Sequence, residues 1–136
     1  MNRHTDILDT RLIEMNTELV NDLKLDDISI KEKSLKAPAL KAKWLQVFFE
    51  EDAYLKKLER ARDELFDQYV REHGKKDIPK YVTEKEVEKS DDLKALDIAI
   101  KQQRNVIRFV EGALELMRQF GWDIKNSISL IQLENA

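Results

Sequence analysis

Residues 36–72 read KAPALKAKWLQVFFEEDAYLKKLERARDELFDQYVRE, and steps of four and three through them lay out one helical stripe: Ala37, Lys41, Trp44, Phe48, Glu51, Leu55, Leu58, Arg62, Leu65 and Tyr69. Leu40, Val47, Tyr54 and Ala61 form a second stripe beside it. Pro38 suits the first turn of such a helix, where its missing N–H has no partner to lose, and Gly74 suits the stop. At about 1.5 Å per residue the helix is roughly 50 Å long, against a diameter of about 36 Å for a compact chain of this length. The sequence therefore predicts a helix that protrudes or is covered by other subunits.

Upstream, residues 5–21 predict an amphipathic helix with Thr5 as N-cap, Asp6 and Asp9 in the first turns, and Leu8, Leu12, Met15 and Leu19 as its apolar stripe. Asp22 breaks that stripe. Leu23 to Ile30 alternates locally, compatible with a short extended connector or an irregular continuation, and predicts no sheet. Downstream, His73 to Lys80 holds the Gly and Pro of a loop between antiparallel neighbours. Thr83 and Glu86 have capping-box spacing, which predicts a short helical turn to about Lys89. Ser90 then begins a second long helix, 90–120, with the stripe Leu93, Leu96, Ile100, Gln103, Ile107, Val110, Leu114 and Met117. Gly121 closes it, Trp122 folds back on its last turn, and a final helix over 123–133 carries Ile124, Ile128 and Ile131. The expected fold is all-α, a single helical domain over 1–136. An acidic helix and connector (1–30) precede an elongated helical hairpin of the two long helices, and short helices stand at both ends of the chain.

From Val106 to Phe120 the second helix is apolar round most of its circumference, leaving Arg108, Glu111, Glu115 and Arg118 as a narrow polar strip. One partner helix cannot cover that surface. Burial between subunits is the simplest account, with Gln103 setting register; the competing account is one intramolecular core. The residues assigned to assembly are Ile107, Val110, Leu114, Met117, Phe120, Trp122, Ile124, Ile128 and Ile131.

Composition narrows the function. The 136 residues hold no cysteine and two histidines, so thiolate chemistry is excluded and His4 and His73 have no ligand neighbours at metal spacing. No apolar run has the length of a membrane span, and no hydrophobic region of signal-peptide type follows Met1; a cytoplasmic protein is expected. The glycines build no phosphate-cradling loop, and Glu50, Glu51 and Asp52 read as a solvated acidic face. A non-enzyme without cofactor or metal is expected.

Net charge is −3 but unevenly spread: three basic residues stand against seven acidic over 1–30, thirteen against ten over 31–80, and eight against ten over 81–136. Basic residues interleave with an aromatic along the long helix and its exit: Lys56, Lys57, Arg60, Arg62, Tyr69, Arg71, Lys75, Lys76 and Lys80. Such a track can follow a phosphate backbone while an aromatic stacks on unpaired bases. Glu59, Asp63, Glu64 and Asp67 lie among them and also suit plain intrahelical ion pairs. Arg62 falls on the apolar stripe and is expected to pair with an acidic neighbour, which ranks Arg60 above it. Lys31, Lys33, Lys36, Lys41 and Lys43 form either a solvated helix entry or a second anion site.

Several short motifs add a resemblance. Arg11-Leu12, Glu18-Leu19, Asp22 and Asp26 precede Lys43-Trp44-Leu45, with Ser34-Leu35-Lys36-Ala37-Pro38-Ala39-Leu40 between them. Lys89-Ser90-Asp91, Leu96-Asp97, Gly112-Ala113-Leu114 and Gly121-Trp122-Asp123-Ile124-Lys125-Asn126 with Ile128 follow. In their order and number these resemble the UvsY-type recombination mediators of T-even bacteriophages and their cyanophage relatives, over residues 11–133. The resemblance implies a helical homo-oligomer, a ring of hexamer or heptamer size. It also implies binding to single-stranded DNA and help in loading a RecA-class recombinase onto strands covered by single-strand-binding protein, in the host cytoplasm. The family's DNA-contact motif, Leu-Lys-Ala-Arg-Leu-Asp-Tyr, falls by chain position near Leu65-Phe66-Asp67-Gln68-Tyr69, where its basic residues are not kept; Arg60-Ala61-Arg62 has the chemistry one heptad earlier. The alternative from another class is a helical scaffold or adaptor that binds only protein.

Overall fold

The computed structural model describes residues 3–24 and 30–134, with the backbone alone described at 3–9, 30, 31, 33, 122, 127 and 131. The regular elements among them are four α-helices: α1 (Arg3–Leu23), α2 (Ile30–His73), α3 (Lys80–Glu88) and α4 (Asp91–Glu134). The chain forms two compact units, Met1–Phe49 with Arg108–Ala136, and Glu50–Ile107; α2 and α4 each lend a segment to both.

The first unit is built on Trp44, which is 1% exposed. Leu19 of α1 meets it, together with Ala113, Met117, Phe120 and Ile124 of α4, residues spaced by four, three and four and so on one helical face. Asp22, which interrupts the apolar stripe of α1, is the polar clamp of this core. Its carboxylate accepts the Trp44 indole N–H at 3.0 Å and the Lys43 ammonium at 2.8 Å, and Lys43 also pairs with Glu18 at 2.5 Å. Partial burial pulls the Lys43 pKa down, but the hydrogen bonds and charges of Asp22 and Glu18 outweigh it and leave the ammonium above its ordinary value. A cation favoured in the folded state contributes fully at neutral pH and loses its contribution only as pH rises through that raised value.

In the second unit the buried side chains are Leu55 of α2, Thr83 and Val87 of α3, and Leu93, Ile100, Val106 and Ile107 of α4. Glu51 and Gln103 are buried polar residues. The Gln103 amide donates to the Glu51 carboxylate at 2.8 Å and to the Glu51 main-chain oxygen at 2.9 Å. The polar residue expected to set register between subunits is therefore used within the chain. At the end of α2, the Gly74 N–H donates to the Val70 carbonyl at 2.9 Å. A Cβ at position 74 would stand 2.9 Å from that same oxygen, so only glycine fits the stop. Ser90 caps α4, its hydroxyl accepting the Leu93 N–H at 3.4 Å, and Asp91 and Asp92 occupy the dipole-favoured first turn.

Four boundaries differ from those read in the sequence. Helix α2 begins at Ile30 rather than Lys36, which places Pro38 in its interior. Pro38 removes one donor to the Ser34 carbonyl, and both residues line a surface concavity. Helix α3 begins at Lys80 with Pro79 at the cap position, and Thr83 is a buried residue inside it rather than a capping hydroxyl. Helix α4 runs through Gly121 to Glu134, with no stop and no separate helix over 123–133. No glycine of the chain has a positive φ, so Gly121 does not adopt the left-handed cap conformation. Met117, Phe120, Ile124 and Ile128 keep their helical spacing across it, and burial of that continuous face favours an unbroken helix over a stop. Helix α1 begins at Arg3, so Thr5 lies inside it rather than at its N-cap; the Leu8 side chain and the connector at 25–29 lie outside the described residues.

Candidate nucleic-acid interface

Within the second unit the cations divide into those the fold uses and those it leaves exposed. Arg62 is used. Its guanidinium Nε donates to Asp97 of α4 at 3.0 Å, approaches Glu88 of α3 at 3.9 Å, and lies 5.3 Å from the centre of the Phe66 ring. Tyr69 is used as well: its hydroxyl donates to the Asp92 carboxylate at 2.6 Å and its ring meets His73 edge-on at 6.0 Å. The hydrogen bond to Asp92 holds the phenol above its ordinary pKa, because ionisation would remove the donor and set two negative charges side by side. Tyr69 was expected at the nucleic-acid surface, and Arg62 was counted in the same track although its stripe position already suggested an ion pair. The structure commits them to contacts among α2, α3 and α4, where the apolar-stripe positions of residues 62 and 69 had placed their side chains.

Lys56, Lys57, Arg60, Arg71, Lys75, Lys76 and Lys80 are exposed, and none forms an ion pair with a described residue. At about 100° per residue, Lys56, Arg60 and Arg71 share an arc of roughly 60° on the side of α2 away from Leu58 and Leu65. Asp63 and Asp67 occupy the same arc, so positive charge is diluted along the helix.

It gathers at the exit. Arg71, Lys75, Lys76 and Lys80 line a concavity of about 660 Å³ together with the apolar side chains of Phe66, Val70 and Ile78; Asp67, Thr83, Gly74 and Glu84 complete it. The local sequence dictates this convergence. Gly74 ends α2, the Ile78 N–H closes a turn on the Lys75 carbonyl at 3.2 Å, and Pro79 starts α3 with Lys80 as its first residue. Such a cleft can hold phosphate oxygens against its cations and the flat face of a base against its apolar wall.

Sequence reasoning passed over Tyr81, which is 63% exposed and has the Lys85 ammonium 6.0 Å from its ring centre. The signal was available: Thr83 and Val87 are four apart on the buried side of α3, which turns Tyr81 and Lys85, also four apart, outward. Taking Thr83 as a cap hid that periodicity.

The residues assigned to assembly fall elsewhere than expected. Ile107, Val110, Met117, Phe120 and Ile124 are buried within the protomer, and Leu114 and Ile128 are half-buried against its first-unit core. Much of that apolar helix is covered by the chain itself, because α1 and α2 both supply residues to the core that holds it, while Leu116 stays exposed. The side chains of Trp122 and Ile131 lie outside the described residues, as do those of Lys31 and Lys33.

Comparison with known proteins places the chain. Residues 18–136 match the family described as recombination, repair and ssDNA binding protein UvsY. The chain belongs to that family. Its fold is similar to crystal structures of the bacteriophage T4 recombination mediator protein UvsY: one at 16% identity and TM-score 0.78 covers 90% of this chain and 98% of the other. A second lattice form, at 17% identity and TM-score 0.76, covers 90% and 96%. No curated protein matches the chain in sequence.

Proposed function

We propose that this chain is a non-enzymatic recombination mediator that binds single-stranded DNA and promotes loading of a RecA-class recombinase onto strands covered by single-strand-binding protein, in the cytoplasm of the host cell. The observation that carries the reading, beside the family itself, is the cleft at the α2 exit. Four cations line it, none paired with a described residue, beside an apolar wall that suits unpaired bases. A mediator of this kind needs no nucleotide hydrolysis. A homo-oligomer presents the same weak site repeatedly, and effective concentration turns weak sites into tight, reshaping contact with one strand.

Two double variants test the interface. Lys75→Ala with Lys76→Ala, and Lys57→Ala with Arg60→Ala, are each expected to lower single-stranded DNA affinity and to flatten its salt dependence by roughly 1.4 log units per log unit of salt, at about 0.7 per phosphate contact. The cleft pair should have the larger effect, because Asp63 and Asp67 offset the α2 track. Helix content by circular dichroism should not change, since all four side chains are exposed. If both variants bind as the parent does, the interface is elsewhere, and Lys36 and Lys41 at the start of α2 become the next candidates.

Assembly into a ring belongs to the same proposal. With the Ile107 to Ile124 face covered within the protomer, the exposed Ile98, Leu116, Leu130 and Leu133 of α4 are among the apolar residues left for a neighbour. Light scattering is expected to give a mass of several protomers, lowered by Leu130→Ser with Leu133→Ser. A monomeric parent at micromolar concentration would contradict it.

A further inference from the structure

The aromatic expected to stack on bases, Tyr69, is tied by its hydroxyl to Asp92. Tyr81 is the exposed aromatic of the second unit that sits among cations. It follows Lys80, which lines the cleft, and it precedes Lys85 by one helical turn, with that ammonium over its ring at 6.0 Å. Its hydroxyl has no hydrogen-bond partner among the described residues, and at 63% exposure its ring contributes little to the core. An exposed tyrosine at this place is explained by no packing need, since Thr83 and Val87 supply the buried face of α3. Tyr54 is exposed too, but the exposed Glu50 lies one helical turn before it, which disfavours an approaching phosphate.

We propose, resting on the single-stranded DNA reading above, that Tyr81 is a nucleobase-stacking platform of this interface, with Lys80 and Lys85 taking the phosphates on either side of the stacked nucleotide. A ring stacks on any base and reads no sequence, so this subsite adds affinity for unpaired bases without base specificity. It also separates two contributions that the cleft alone would merge: Lys75, Lys76 and Lys80 supply the salt-dependent part, and Tyr81 the part that depends on the presence of a base.

The experiment compares binding to oligo-dT and to an abasic oligonucleotide of equal length and charge, over a salt series, for the parent chain, Tyr81→Ala and Tyr81→Phe. The parent is expected to prefer oligo-dT. Tyr81→Ala should lose roughly tenfold in oligo-dT affinity, within the range of alanine substitutions at stacking aromatics, while its abasic affinity and its salt slope stay as in the parent. Tyr81→Phe should keep the preference, because the ring rather than the hydroxyl is used. A parent that binds both oligonucleotides equally, or a Tyr81→Ala variant that keeps the preference or loses both ligands alike, overturns the platform and leaves DNA binding standing. A parent that binds neither overturns both.

Discussion

Trp44→Ala is expected to destabilise the protein by about 3–5 kcal/mol, the range for truncating a large buried aromatic. The side chain is 1% exposed and joins α1 to α4 through Leu19, Ala113, Met117, Phe120 and Ile124. Truncation removes that contact area and leaves a cavity which three helices would have to move to close. It also strips the indole donor from Asp22. Trp44→Phe separates the two effects: it keeps most of the volume and loses the hydrogen bond, so it should cost about 0.5–1.5 kcal/mol for the bond plus a packing remainder. Urea unfolding followed by circular dichroism measures both. A loss below about 1 kcal/mol for the alanine variant, well under the usual range, would mean that α1 is not docked on Trp44.

The second large effect belongs to Gln103. Gln103→Leu removes the amide that donates to both the carboxylate and the main-chain oxygen of Glu51, and those acceptors are buried. Leaving them without that donor is expected to cost about 1–3 kcal/mol. Replacing both partners, Glu51→Leu with Gln103→Leu, should recover part of the loss, since an apolar pair needs no donor. Recovery should stay incomplete, because Glu51 makes further interactions. The double-mutant cycle gives the coupling directly. A coupling near zero would show that the pair contributes nothing to the second unit.

How far the sequence led can be told from such residues. The heptad through Trp44, Leu55 and Leu65 predicted a long helix, and α2 is one; Gly74 predicted its stop, and the 2.9 Å approach to Val70 shows why. Arg62 was placed on the stripe and is paired with Asp97. Gly121 misled because a glycine permits a helix end without forcing one, and here the apolar face on both sides carries the helix through. The breadth of the apolar surface on α4 misled in another way. Periodicity tells which positions are buried but not whether the cover comes from the same chain: α1 was read as an amphipathic helix with Leu19 on its stripe, but not as the cover for α4. At the interface, charge pattern identified the exposed cations. It could not tell that Tyr69 is held by Asp92, which depends on how α2 and α4 pack, and the exposure of Tyr81 was legible only in the spacing of Thr83 and Val87 on α3.

The central claim is that the exposed cations of the second unit bind a single strand of DNA through its phosphates. Its most direct test is the affinity of the parent chain for oligo-dT as a function of salt. Six contacts, four in the cleft with Lys57 and Arg60 on α2, predict that the logarithm of affinity falls by roughly 4 for each log unit of salt, at about 0.7 per contact. Binding absent at low salt, or binding whose strength does not change with salt, would contradict it and would leave a helical scaffold that contacts only protein.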